Sequence, residues 1–314
     1  MKRPDWLKQA VLAGGAYHAL KQDPTRHNLL NGAVLVVWLA LYPAVLSLAA
    51  VLPWWGYLLV GPPLLGVLTY GLFVLVIHEC SHSMFLLFAD RERQKRANAV
   101  IGRVFGEILM TDYVRHWEEG HVTHHLKPCE DVDPQNPDPR DGKRLLAWLV
   151  GLLVPGFVLY TNPSRQYGVS IRRLVLGLGF WTLVGVAAGT AFGWPAGVGI
   201  VMMFNCTNML SLLKIAQEHG SGLGSEPDPL YRSRTYHYPL ARVMSPFNIN
   251  YHWEHHANFN VPWYLLPAYH REVRRIMPAA LHPYFFTVGA GEYLRQASGT
   301  KALPSGDLRQ LMSA

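Results

Sequence analysis

Most of the 15 histidines of this 314-residue chain stand in three tight clusters. The first reads His78-Glu79-Cys80-Ser81-His82, and the third reads His252-Trp253-Glu254-His255-His256. Between them lies His116-Trp117-Glu118-Glu119-Gly120-His121-Val122-Thr123-His124-His125. On a helix, residues three and four apart share a face. His78 with His82, His121 with His124 and His125, and His252 with His255 and His256 would therefore each direct imidazoles at one point. Neutral imidazole is the commonest metal ligand and suits zinc, copper, iron and nickel. Eight convergent imidazoles exceed the four ligands of a structural zinc site, so the count predicts two metal ions sharing one cavity. His116 stands five residues before His121. Either could serve with His124 and His125, and the His-x-x-His-His register favours His121. Glu79, Glu118, Asp133 and Glu254 lie close enough in sequence to orient imidazoles through their second nitrogen. His18, His27, His237, His270 and His282 stand singly, in loop-like surroundings, and read as ordinary side chains.

The elements that must position these clusters follow from the charges. The chain carries 28 Lys and Arg and 21 Asp and Glu, with a formal net charge of +7. None falls in 27–78, in 145–164 or in 174–213. A helix needs about 20 apolar residues to cross the hydrocarbon core. The first charge-free block is long enough for two spans, 29–52 and 57–77, turning at Pro53-Trp54-Trp55-Gly56, with Gly61-Pro62-Pro63 expected to kink the second. The last block folds at Gly193-Trp194-Pro195 into spans 174–192 and 196–213. Leu145–Thr161 is short for a span and is interrupted by Pro155-Gly156. It is read as an interfacial or re-entrant helix, because a crossing there would put the clusters on opposite sides of the membrane. Both tight turns lack Lys and Arg, whereas Met1–Asn28, the stretch from Arg91 to Arg103 and the C-terminal third are basic. By the positive-inside rule these face the cytoplasm. The expected architecture is an all-α integral membrane protein: two helical hairpins, an interfacial helix, and a helical cytoplasmic cap over 78–144 and 214–296, forming one domain over 1–314.

This distribution excludes disorder, a disulfide scaffold and an ordinary cytosolic enzyme. Cys80, Cys129 and Cys206 are scattered, with no CxxC pair. No basic stripe interleaved with aromatics speaks for nucleic acid, and the N-terminus shows no signal peptide. His78-Glu79-Cys80-Ser81-His82 also matches HExxH, the zinc-protease motif, but that reading leaves six histidines unexplained. Glu79-x-x-His82 and Glu118-x-x-His121 match the pairs of soluble di-iron bundles, which take their further ligands from glutamates. A metal transporter would need ligands inside the spans. These offer only Asn205, Cys206, Thr207 and Asn208 near one end and Thr69 in the other hairpin.

The three clusters, their order and their placement relative to the hairpins resemble the membrane fatty acid desaturase superfamily, with its HxxxH, HxxHH and HxxHH boxes. The run from Pro246 to His256, followed by Val261-Pro262-Trp263-Tyr264 and Leu266-Pro267, is especially similar to bacterial and plastid-type members. The resemblance covers about 29–270. It implies a di-iron centre held by His78, His82, His121, His124, His125, His252, His255 and His256, with His219 as a further ligand just after the last span and His116 as an outer or alternative one. It also implies oxidation by O2 of a lipid or acyl chain, as free acid, CoA, acyl carrier protein or glycerolipid. Desaturation is the first expectation, and hydroxylation or ketolation of an alkane, sphingolipid or carotenoid is the alternative. Trp117, Tyr251 and Trp253 are expected to line the chain's path. Electrons would come from a separate donor, a ferredoxin or cytochrome b5 with its reductase. The site is expected at the cytoplasmic face, in a bacterial inner membrane rather than the endoplasmic reticulum.

Overall fold

The structure, a computed structural model, describes residues 3–135, 170–220 and 223–287. The expected interfacial helix at 145–161 lies outside the described residues, as does the C-terminal stretch from 288. The chain forms two compact units. One is drawn from the described parts of Met1–Pro24, Gly120–Arg144 and Lys214–Ala314, the other from Thr25–Glu119 and Leu145–Leu213.

The second unit contains the apolar helices. Helix α1 (Asp5–Ala13) belongs to the first unit; α2 (Pro24–Val51) and α3 (Trp54–Leu72) follow it in the chain. The 28 residues of α2 span about 42 Å at 1.5 Å per residue, enough to cross a membrane. Pro53 caps α3, which starts at Trp54, three residues before the expected boundary, and Pro62 and Pro63 lie inside the helix. A π-helical turn, Phe73–His78, and a short α-helical turn, Glu79–Ser81, continue it. α4 (Arg91–Ile108) follows, capped by Asp90 Oδ1 accepting from Arg93 N–H at 2.9 Å. A second π-helical turn, Tyr113–Glu119, precedes α5 (Gly120–Leu126). The second hairpin is α6 (Ile171–Phe192) and α7 (Trp194–His219). Gly193, at φ +96°, makes the turn between them in a conformation that favours glycine. Leu29, Val36, Val37 and Val51 on α2 and Val175, Leu183 and Val186 on α6 are exposed. A continuous apolar exterior of this kind matches lipid rather than water. These four helices are long and apolar enough to cross a membrane, and the fold is that of an all-α membrane protein.

Close approach fixes the hairpins. A Cβ on Gly66 of α3 would meet Cys206 Cβ at 2.5 Å, so the helices touch backbone to side chain there. Trp38 Nε1–H donates to Leu68 O at 2.8 Å, joining α2 to α3. The segment after the first cluster is gripped by amides from both sides. Asn28 bonds Leu87 through N–H and C=O, Asn31 donates to Phe85 O, and Asn98 bonds Leu86 through both groups. His27, on α2, is buried against Met84 O at 2.7 Å.

The first unit has its own core. Leu7 and Ala10 of α1 pack with Trp253, Tyr269, Val273 and Phe285. Helices α8 (His252–Ala257) and α9 (Leu266–Ile276) contribute Trp253, Ala257, Leu266, Tyr269 and Val273 to it, and Tyr269 O–H donates to Ala10 O at 2.8 Å. Strand β1 (Thr235–Tyr236) pairs in parallel with β2 (Phe286–Thr287), Thr235 opposite Phe286.

Candidate metal centre

In the first unit, His124 of α5, His219 at the end of α7 and His252 and His256 of α8 converge. Their ligand atoms all lie within 4.8 Å of one another, and all four side chains are buried. His252 Nε2 stands 2.9 Å from His219 Nε2 and 3.0 Å from His256 Nε2. His124 Nε2 is buried and has no hydrogen-bond partner. An orphaned buried nitrogen costs about 1–3 kcal/mol, and three nitrogens turned on one another cannot all be satisfied by shared protons. A cation resolves both difficulties. Imidazole nitrogens bind divalent metals at about 2.1 Å, so neighbours at right angles around one ion stand about 3 Å apart. The observed spacing fits that arrangement.

The second nitrogen of three rings is held from behind. His124 Nδ1 lies 3.0 and 3.1 Å from the two Asp133 oxygens. His219 Nδ1–H donates to Arg232 O at 2.7 Å. His252 Nδ1 stands 3.3 Å from Glu218 Oε1, and Lys214 Nζ pairs with that carboxylate at 2.7 Å. The first two contacts favour a proton on Nδ1 and leave Nε2 free for metal. Burial, reinforced by Lys214 and neighbouring imidazoles, pushes His252 well below the ordinary histidine range, so it is neutral as a ligand must be. Burial alone would raise Asp133. The His124 ring and the backbone N–H groups of Cys129 and Gln135, at 2.9 and 2.8 Å, instead hold it low and ionised.

A second group in the same unit comprises His121, His125 and His255, again within 4.8 Å of one another. His121 Nε2 and His125 Nε2 are 3.1 Å apart, and the Gln135 side-chain amide lies 3.0 Å from His121 Nδ1. His125 and His256 rings, at 4.5 Å, link the two groups. The His-x-x-His-His spacing produces this split: along each short helix one ring faces one group and its neighbours the other.

In the other unit, His78 ends the π-helical turn and His82 follows the next turn, their rings 4.9 Å apart at 81°. Glu79 is buried, with Oε1 3.5 Å from His78 Nδ1. Trp117 stands edge-on to His78 at 6.5 Å and donates Nε1–H to Thr111 Oγ1. His116 packs on Trp117 at 5.4 Å and belongs to neither donor group.

Several expectations need correction. Glu254 does not orient a cluster histidine: its carboxylate accepts from His270 Nδ1–H at 2.5 Å and from Thr235 Oγ1–H. Glu118 pairs with Arg103 at 3.7 Å. Trp253 is fully buried in the apolar core, stacked on Trp6, with Nε1–H on Leu230 O, so it supports the helix instead of lining a path. Tyr251 packs against His237 and His270. His27 and His270 sit on helices with defined partners instead of in loops. Glu218, Gln135 and Arg232 were not anticipated.

The chain thus combines a buried, imidazole-rich donor set that could hold metal with four helices long and apolar enough to cross a membrane. The Fatty acid desaturase family model matches residues 52–288, and the chain belongs to that family. No curated protein sequence matches the chain. Membership makes the protein an oxidoreductase acting on fatty acyl chains.

Proposed function

We propose that the protein is an O2-dependent, di-iron fatty acyl desaturase. The observation that carries this is the four-imidazole group: its ligand atoms lie within 4.8 Å of one another, His252 Nε2 stands 2.9 and 3.0 Å from His219 and His256 Nε2, and the Nδ1 atoms of His124 and His219 are held from behind. His124, His219, His252 and His256 would hold one iron. His121, His125 and His255 would hold the other with His78 and His82, since three imidazoles leave an iron short of ligands and the family's first box supplies the balance. Iron so held supplies the oxidising power that removes two hydrogens from an unactivated CH2–CH2 pair, with O2 reduced to water by electrons from the chain and from a donor protein.

The remaining work falls to the polypeptide. Asp133 and the Arg232 carbonyl keep the Nδ1 protons of His124 and His219 in place, so that both present a lone pair. Apolar walls bring the acyl chain from the bilayer and exclude water, and Trp117, beside His78, lines its path. The metal groups face the cytoplasm of a bacterial inner membrane, where a ferredoxin, or a cytochrome b5 with its reductase, delivers electrons to the basic surface.

The test is expression in a host with a generic reductase, followed by mass spectrometry of the acyl chains. Desaturation lowers a chain by about two mass units. A gain of about sixteen units replaces desaturation with hydroxylation, and an unchanged profile together with metal-free protein overturns the proposal.

A further inference from the structure

Arg232 lies in none of the three histidine clusters, and its guanidinium is almost wholly buried, the residue being 9% exposed. Nε–H donates to Glu226 O at 2.7 Å. Nη1–H donates to Pro128 O at 3.1 Å and to Glu130 Oε1 at 2.8 Å. Its own carbonyl accepts from His219 Nδ1–H at 2.7 Å. One residue thus holds the loop that leaves α5 with its side chain and the imidazole that ends α7 with its backbone.

That loop is the one that orients His124. Asp133 receives N–H groups from Cys129 and Gln135 and faces His124 Nδ1. Cys129 adopts φ +66°, a left-handed conformation that a non-glycine residue keeps only when its surroundings impose it. Its thiol reaches back to His219 O at 3.8 Å. The carbonyl of Pro128, immediately before this residue, is where Arg232 takes hold. The rings of His124 and His219 then meet at 4.8 Å and 85°.

We propose that Arg232 is a positioning residue that sets the mutual angle of His124 and His219, and with it the affinity and geometry of one iron and not the other. This rests on the reading that both groups bind iron. The chemistry requires arginine. Three acceptors in different directions match a planar fork of donors, whereas an ammonium on a flexible stem would satisfy one and leave buried carbonyls unpaired.

The test uses the full chain purified from membranes, with Arg232→Lys and Arg232→Gln compared by ferrous-iron titration, Mössbauer spectroscopy and thermal unfolding of the metal-free protein. Asp133→Asn, which acts on His124 directly, marks the iron in question. In the Lys variant that same iron weakens by roughly 10- to 100-fold and its spectrum changes, while the second iron and the metal-free unfolding temperature stay near wild type. Two unchanged irons overturn the proposal. So does equal weakening of both irons with a matching loss of metal-free stability, which would make Arg232 a purely structural residue. If Arg232→Gln fails to fold, the Lys variant decides. Wild-type protein that binds no iron defeats the functional reading itself, before any variant is compared.

Discussion

Glu254 is flanked in the chain by residues of the third histidine cluster, yet it gives its carboxylate to His270, 2.5 Å away on α9, and to the hydroxyl of Thr235 on β1. The two sides of α8 are thereby divided. His252, His255 and His256 converge with the histidines of α5, and Glu254 anchors the helix to the elements behind it. His270→Ala leaves Oε1 of this buried carboxylate without its donor, with only the Thr235 hydroxyl remaining on Oε2. We expect a loss of about 1–3 kcal/mol in stability, read by denaturant unfolding in detergent, and a parallel fall in bound iron. Wild-type stability in this variant would show that the pair does not hold α8.

Removing a predicted ligand has a different signature. His124→Ala and His255→Ala should insert in the membrane normally, lose iron from one group each, and lose turnover by at least roughly 100-fold. Iron content by elemental analysis and product by mass spectrometry check both. Full activity in either variant removes that residue from the site.

Metal identity is open to direct exchange. Chelation should abolish turnover, and ferrous iron should restore it at about two ions per chain, while zinc should fill the same imidazoles without activity. A zinc-loaded preparation that turns over would falsify the iron assignment.

Acid should loosen the first unit. Burial first, and then the neighbouring His270, push His237 down to about 4. The unfolded chain takes up that proton near the ordinary histidine value, about 6.5. Its contribution to stability is therefore complete above about 6.5 and falls away as pH drops toward about 4. Unfolding midpoints of metal-free protein measured across that range should decline, and His237→Phe should decline less steeply. Identical slopes would rule out His237 as a contributor.

Helix contact in the second unit can be tested at Gly66. A methyl there would stand 2.5 Å from Cys206 Cβ. Gly66→Val should cost about 1–3 kcal/mol through overpacking, and Cys206→Ala in the same chain, which keeps the clashing Cβ, should not recover it. The readout is the thermal midpoint of each variant in detergent.

The histidine clusters and the two hairpins were legible because both obey local rules. Spacing of three and four gathers the imidazoles of each helix, although the second and third clusters each divide between two donor groups instead of meeting at one point, and charge-free runs of sufficient length mark spans. The His-x-x-His-His register also favoured His121, and that residue, not His116, stands in a donor group. The contacts behind the rings were hidden because they join residues far apart in the chain. Glu218 faces His252, Arg232 receives His219, and Asn28 and Asn98 grip the same short segment from opposite directions. A lone arginine or asparagine carries no spacing that announces such a partner. Glu218 left one clue: a Lys214–Glu218 pair at helical spacing just where an apolar helix ends. Glu254 is adjacent to cluster histidines in sequence but not in function, because α8 turns its side chain toward His270 and Thr235.

The π-helical turn between Phe73 and His78 carries a consequence for the chain's tolerance of length changes. Such a turn holds one residue more than an α-helical path of the same rise. Residues before and after it are therefore out of phase by about 100°, the angle one residue subtends around a helix. Deleting any one of Phe73 to Ile77 lets the segment relax to regular α-helix without altering a single histidine. His78 and His82 then keep their bearing, because the π-helical turn had absorbed the extra residue within the same rise. This stretch therefore absorbs a single-codon loss that a regular helical turn would pass on to everything beyond it as a rotation of about 100°.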